Sequence, residues 1–144
     1  MSDRYFASID GSNLVTGVYV FNVDTEAEGI ALTRNVIDDQ TATVVETFVN
    51  ADQTSPTRYN YASIGFTWDD ANQAFIELQP FSSWSLDSSY QWQAPVAYPS
   101  TDTVDDKFLD IFWEESDLRW VGITEPGGAP SYYWNPDTSA WISI

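Results

Sequence analysis

The stretch Phe66–Leu78 reads FTWDDANQAFIEL, and the chain repeats its design twice more. Ile111–Ile123 reads IFWEESDLRWVGI, and Tyr132–Ile144 reads YYWNPDTSAWISI. Each copy has a Trp, an acidic residue or Asn, five further residues, then Phe or Trp followed by Ile or Val. A looser fourth copy lies at Trp84–Trp92. This spacing suits an antiparallel hairpin in which Trp68 faces Phe75, Asp69 faces Ala74, and Asp70–Gln73 form a four-residue loop around a type I turn. A left-handed residue is expected late in that loop, at Asn72, and at Asp117 in the second copy. In the third copy Asn135-Pro136-Asp137 suits a type I turn. Thr138 stands there in the place of Asn72, so a different turn is expected.

The same rule pairs Trp113 with Trp120 and Trp134 with Trp141, each pair contributing roughly 0.2–1 kcal/mol beyond Ala–Ala. Glu114 would face Arg119 as an exposed ion pair of small value. The opposite face pairs Thr67 with Ile76, Phe112 with Val121, and Tyr133 with Ile142. A half-solvated hairpin alternates apolar and polar residues. The last two copies are apolar on both sides, so the C-terminal third is expected to be enclosed in its own fold or covered by another chain. Interfaces favour Trp and Tyr as anchors. Phe112, Trp113, Trp120, Tyr133, Trp134 and Trp141 are therefore the candidate partner-binding residues.

A chain of 144 residues, 43% hydrophobic, can bury a core as one domain without staples, and is too apolar for disorder. With no Cys, disulfides and thiolate metal sites are excluded; with no His, so are Ser–His and Cys–His mechanisms. No glycine loop has the spacing of a phosphate cradle. A paired-carboxylate glycosidase needs only Asp and Glu, but 22 acids make some close pair inevitable. A non-enzymatic role with no cofactor is expected. The net charge of −17 argues against nucleic acid and anionic membranes and favours a solvated acidic coat or a basic partner surface. No run approaches the roughly 18 apolar residues of a membrane span. MSDRYFASID lacks the regions of a signal peptide, so synthesis in the cytoplasm is expected.

From the N-terminus, Tyr5–Ile9 reads as a strand, Asp10–Asn13 as a hairpin turn, and Leu14–Val23 as the returning strand with Gly17 a candidate bulge. Asp10–Asn13 resembles a fragment of a calcium loop but lacks its later acidic ligands. Thr25 and Glu28 form a capping box that starts a helix over Glu26 to about Asn35. Ala27, Ile30 and Ala31 are its expected inner stripe, Gly29 weakens it, and Asp38-Asp39 ends it. Ala42–Asn50 alternates as a strand, with Val44 and Val45 on opposite faces. Ala51–Thr57 reads as a polar loop holding Pro56. A strand over Arg58–Trp68 then enters the first repeat, and Phe75–Leu78 returns.

Prolines 80, 95 and 99 make Pro80–Pro99 an edge or irregular segment. Ser100–Lys107 is the best internal boundary. Asp102, Asp105, Asp106 and Asp110 could gather round Ca²⁺, a solvated loop being the simpler reading. Pro126–Pro130 is a turn-prone link between the last two hairpins. The expected fold is mainly β, antiparallel hairpins in a sandwich-like arrangement with one short α-helix. Residues 1–99 would form a β domain, and 108–144 an aromatic hairpin unit packed on it or on a partner.

Phe6–Val15, FASIDGSNLV, resembles the F-A-x-I-D-x-x-N-x-V opening of small accessory structural proteins of marine tailed phages, especially cyanophages. The resemblance continues through Glu28-Gly29-Ile30, Tyr61–Phe66 (YASIGF), Trp68-Asp69, Ala74-Phe75-Ile76, Gln79–Leu86 (QPFSSWSL), Trp92–Pro99 (WQAPVAYP) and Tyr133-Trp134…Trp141. Ser100–Pro130 departs from it by inserting an aromatic hairpin. The resemblance implies a place on the outer surface of a virion, as a capsid decoration or cement protein, against a phage capsid or tail protein. It carries over no catalytic residue. YYWNPDTSAW also resembles segments of tail-fibre assembly chaperones, which makes a tail-fibre subunit or chaperone the alternative. A carbohydrate-binding adhesion module, using exposed aromatic rings, and a homo-oligomer are further expectations to test.

Overall fold

Strand β1 (Ser2–Ile9) turns at Asp10–Asn13 and returns as β2 (Val15–Val23). The Asp10 carboxylate accepts the backbone N–H groups of Ser12 and Leu14 at 2.8 and 3.0 Å, and Asn13 closes the turn at φ 63°. Asn tolerates that left-handed geometry. Ser8 pairs with Gly17 and Ile9 with Val15, so the bulge falls on Thr16, beside the expected Gly17. In this computed structural model, residues 2–49 and 58–144 are described.

Helix α1 (Glu26–Val36) starts at the capping box: Thr25 Oγ1 accepts the Glu28 N–H, and the Glu28 carboxylate accepts the Thr25 N–H. Its buried residues are Gly29 and Thr33. Ile30 packs beside them, whereas Ala27 and Ala31 are exposed, which corrects the expected inner stripe. Ile37 caps the helix, and Asp38 turns the chain at φ 55°. Strand β3 (Thr43–Thr47) then pairs with β1, giving the order β2-β1-β3. The end of the expected strand, at Asn50, and the expected loop around Pro56 lie outside the described residues.

The sheet is covered on both faces. On the helix side Phe6, Val23 and Val44 form a cluster with Phe21, Ile30 and Ala42. Glu46 is buried on that face and takes a bidentate ion pair from Arg4, at 2.6 and 2.7 Å. On the other side Ala7, Ile9, Val15 and Val45 pack with Ala62, Trp68 and Phe75. Val44 and Val45 thus lie on opposite faces, as expected.

Trp68 and Phe75 come from the first repeat, where β4 (Thr67–Asp69) pairs with β5 (Ala74–Ile76) in the expected register. The expected strand over Arg58–Trp68 is confined to its last residues. Arg58, Asn60 and Gly65 have left-handed backbones, so the approach is bent. The side chain of Asn60 holds the bend by donating to the carbonyls of Phe75 and Tyr90 at 3.0 and 3.1 Å.

The chain forms two compact units. The first comprises the described residues up to Gln79 with Leu86–Trp92; the second is Pro80–Ser85 with Gln93–Ile144. Short strands β6 (Ser85–Leu86) and β7 (Trp92–Gln93) mark the crossings. The second unit thus begins earlier than the expected 108–144, because Phe81, Trp84, Ala94 and Val96 pack against its tryptophans. At the looser fourth copy β6 pairs with β7 as a hairpin, but its turn differs from that of the three repeats. Asp87 accepts the N–H groups of Ser89 and Gln91, and Tyr90 sits at φ 60°, so this turn repeats the one at Asp10.

Within the acidic segment β8 (Thr103–Val104) and β9 (Lys107–Phe108) form a hairpin across Asp105-Asp106, both left-handed. Two such residues suit the I′ turn of a two-residue loop. Strands β10 (Asp110–Glu114), β11 (Arg119–Ile123), β12 (Tyr132–Asn135) and β13 (Ala140–Ser143) then build one antiparallel meander. The fold class is as expected: mainly antiparallel β in several small sheets, with one helix.

Candidate functional site

The meander has two faces, and the repeats decide what each carries. Trp113 pairs with Trp120 and Trp134 with Trp141, and the contact between β11 and β12 joins the pairs into one sheet. The ring pairs cross at 70° and 64°, with centroids 5.2 and 5.3 Å apart. All four tryptophans are 5–8% exposed and cluster with Leu109. Gly122 lies in the same layer, where an added Cβ would come within 3.0 Å of Leu109 and 3.3 Å of Trp141. The indole N–H groups tie the layer to the crossing chain: Trp120 donates to the Val96 carbonyl at 2.9 Å and Trp141 to the Thr101 carbonyl at 2.8 Å.

Four of the six candidate partner-binding residues are therefore core. Trp113, Trp120, Trp134 and Trp141 fill the unit's own interior. The other two lie on the opposite face. Phe112 pairs with Val121, Val121 with Tyr133, and Tyr133 with Ile142, which makes one apolar row across all four strands. Phe112 is 52% exposed, Tyr133 and Ile142 are half-buried, and Val121 is buried between them.

Beside the row, Arg119 pairs with Glu114 at 2.6 Å and Asp117 at 3.1 Å, and its guanidinium lies 5.0 Å from the centre of the Tyr133 ring. The expected Glu114–Arg119 pair is thus present, and it flanks the apolar row on β10 and β11.

The three repeat loops share one backbone solution. Gln73, Leu118 and Ser139 sit at φ 54°, 51° and 50°, one residue later than the expected Asn72 and Asp117, and the third loop does not differ in the way that Thr138 led us to expect. The last residue of a four-residue loop must turn the chain back into its strand. Asn72 instead bonds through its N–H and side chain to Asp69, at 3.1 and 2.8 Å. Asn135 occupies the place of Asp69 in the third copy and accepts the N–H groups of Asp137 and Thr138. That turn consequently matches the others.

Glu115 is a functional residue of the fold that the sequence reading passed over. Its carboxylate accepts the Ser82 hydroxyl at 2.8 Å, the Ser83 N–H and hydroxyl at 2.9 and 2.7 Å, and the Trp113 indole N–H at 2.7 Å. A signal was present: an acid stands two residues after the first Trp in two repeats, and Trp68 likewise donates to Asp70 at 3.3 Å. In the third copy that place is Pro136.

The bonds from Trp113 and the two serines hold the Glu115 carboxyl down to about 2, from an ordinary value of 4.5. A depressed carboxylate contributes stability that is complete above its unfolded pKa and is lost as pH falls through its folded one. Wild type should therefore unfold at a higher temperature than Glu115→Gln at pH 7. The gap should narrow between pH 4.5 and about 2. Thermal melts followed by Trp emission across that range check this; a gap independent of pH would contradict it.

Among the described residues no three or more acids are grouped so as to hold a metal ion, Asp102, Asp105, Asp106 and Asp110 included. No helix of the described residues is long and apolar enough to cross a membrane. No family model, no curated protein and no solved structure matches this chain.

Proposed function

We propose that this chain is a non-enzymatic accessory structural protein of a phage particle, most simply a capsid decoration on its outer surface. The observation that carries the reading is the row Phe112–Val121–Tyr133–Ile142, an apolar strip on a sheet whose other face is already filled. The phage setting comes from the resemblance of Phe6–Val15 and the blocks that follow it.

Docking would proceed by burial of this row against a shell protein. Phe112 and Tyr133 are the anchors, and each 100 Å² of apolar surface removed from water contributes about 2.5 kcal/mol before the costs of association. The partner's patch should be apolar and bordered by Lys or Arg, because a chain of net charge −17 repels an acidic surface. The same charge weighs against a second copy, nucleic acid or an anionic membrane as the occupant.

Mass spectrometry of purified particles, scaled to the major capsid protein, tests the reading. Hundreds of copies per particle are expected for a decoration. A handful would move the protein to the tail or its fibres. Presence in infected lysate with absence from particles would overturn the virion reading and leave an assembly chaperone.

A further inference from the structure

A second feature of the C-terminal unit is independent of the exposed row. Trp84, Tyr98 and Trp120 enclose a cavity of about 170 Å³, whose remaining walls are Ala94, Val96, Ala97 and Gln93. The rings of Trp84 and Tyr98 both stand across that of Trp120, at 65° and 73°, with centroids 5.9 and 5.0 Å away. Two of the three walls are braced. Trp120 is pinned through its N–H to Val96, and Trp84 is wedged between Phe81 and Trp113. Tyr98, 61% exposed, is the open wall.

We propose that these three rings form a binding site for a small alkylammonium group. Aromatic faces carry negative charge density and attract cations that are too weakly hydrated to resist leaving water. The cavity is smaller than the roughly 300–1,000 Å³ of a pocket for a drug-sized ligand, so it suits a head group rather than a whole sugar or peptide. A sugar would also need several converging polar groups, and the lining side chains carry Gln93, the Tyr98 hydroxyl and two indole N–H groups, of which that of Trp120 is held by Val96.

Charge points the same way. The second unit carries nine acids against two bases, Lys107 and Arg119, and Arg119 is already held by Glu114 and Asp117. No cationic side chain lines the cavity. The net charge of the unit therefore favours a cation over an anion as its ligand.

Choline and its neutral isostere 3,3-dimethylbutan-1-ol separate charge recognition from simple apolar filling. Titration of the intact protein, followed by Trp emission, should give saturable choline binding, with the isostere at least ten-fold weaker. Tyr98→Ala should weaken choline at least ten-fold, while Tyr98→Phe, which keeps the ring, should change it less than three-fold. The exposure of Tyr98 makes both variants safe for folding. Vesicles of phosphatidylcholine distinguish the two sources of this chemistry. Cosedimentation that free choline competes away supports a lipid head group, and choline binding without cosedimentation supports a solute. Equal affinity for the isostere, choline binding unaltered in Tyr98→Ala, or no saturable binding would each overturn the proposal.

Discussion

Trp134→Ala should lower stability by about 3–5 kcal/mol, the usual cost of emptying a buried Trp site. Trp134 is 5% exposed and packs across β12 and β13 on Trp141, in the layer that also holds Leu109, Trp113 and Trp120. Its removal opens the centre of a row that spans all four strands, and the neighbouring rings are pinned. Trp120 and Trp141 are anchored by their N–H groups to Val96 and Thr101, so they cannot slide to fill the space. Phe112→Ala, on the exposed face, should cost no more than about 1 kcal/mol, the scale of a single cross-strand pair. Urea unfolding of the two variants checks the difference. Equal losses would mean that the tryptophan face is not the interior.

The second large effect comes from the smallest side chain. In an exposed helix interior, Gly→Ala gains up to ~1 kcal/mol. Gly29→Ala should do the opposite, because its added Cβ would collide with the ring of Phe6. Phe6 is fully buried against Val23, Val44 and Phe21, so it has no space to turn. Overpacking of a core costs about 1–3 kcal/mol and sometimes more, and a net loss of about 2 kcal/mol is expected after the gain in propensity. Thr33 fixes the same contact from the next turn: it is fully buried and donates to the Gly29 carbonyl at 2.8 Å. The double variant Gly29→Ala/Phe6→Leu should recover part of the loss by trimming the obstructing ring. If Gly29→Ala alone raised the melting temperature, the helix could not be seated on β1 as described.

These two sites show what was legible in the sequence and what was not. The Trp-x6-aromatic spacing gave the hairpin register to the residue, because cross-strand pairing and a fixed loop length leave one solution. Glu114–Arg119 and the Thr25 capping box were legible for the same reason, being set by short, local geometry. The inner face of α1 was not. Its burial is carried by Gly29 and Thr33, which have no hydrophobic signal, and close approach to Phe6 selects small residues over Ala27 and Ala31.

The candidate docking residues divide between the two faces for a different reason. Alternation tells which residues share a face of a strand, but hairpins apolar on both faces do not say which face is enclosed. That choice is made by distant chain: Phe81, Trp84, Ala94 and Val96 pack on the tryptophans and leave Phe112 outside. Glu115 and the box at Trp84, Tyr98 and Trp120 were hidden by the same long-range packing. The strand expected over Arg58–Trp68 was lost to left-handed residues at 58, 60 and 65, of which Arg58 carries no signal of that conformation and Asn60 and Gly65 do.

On the proposed reading the exposed row, and not the tryptophan layer, is the working surface. The most direct measurement is the copy number, per purified particle, of a Phe112→Ser/Tyr133→Ser variant relative to wild type, with its fold verified by unchanged Trp emission. A folded variant whose copy number falls at least ten-fold is expected, the equivalent of about 1.4 kcal/mol in docking. A folded variant present at the wild-type copy number would contradict it.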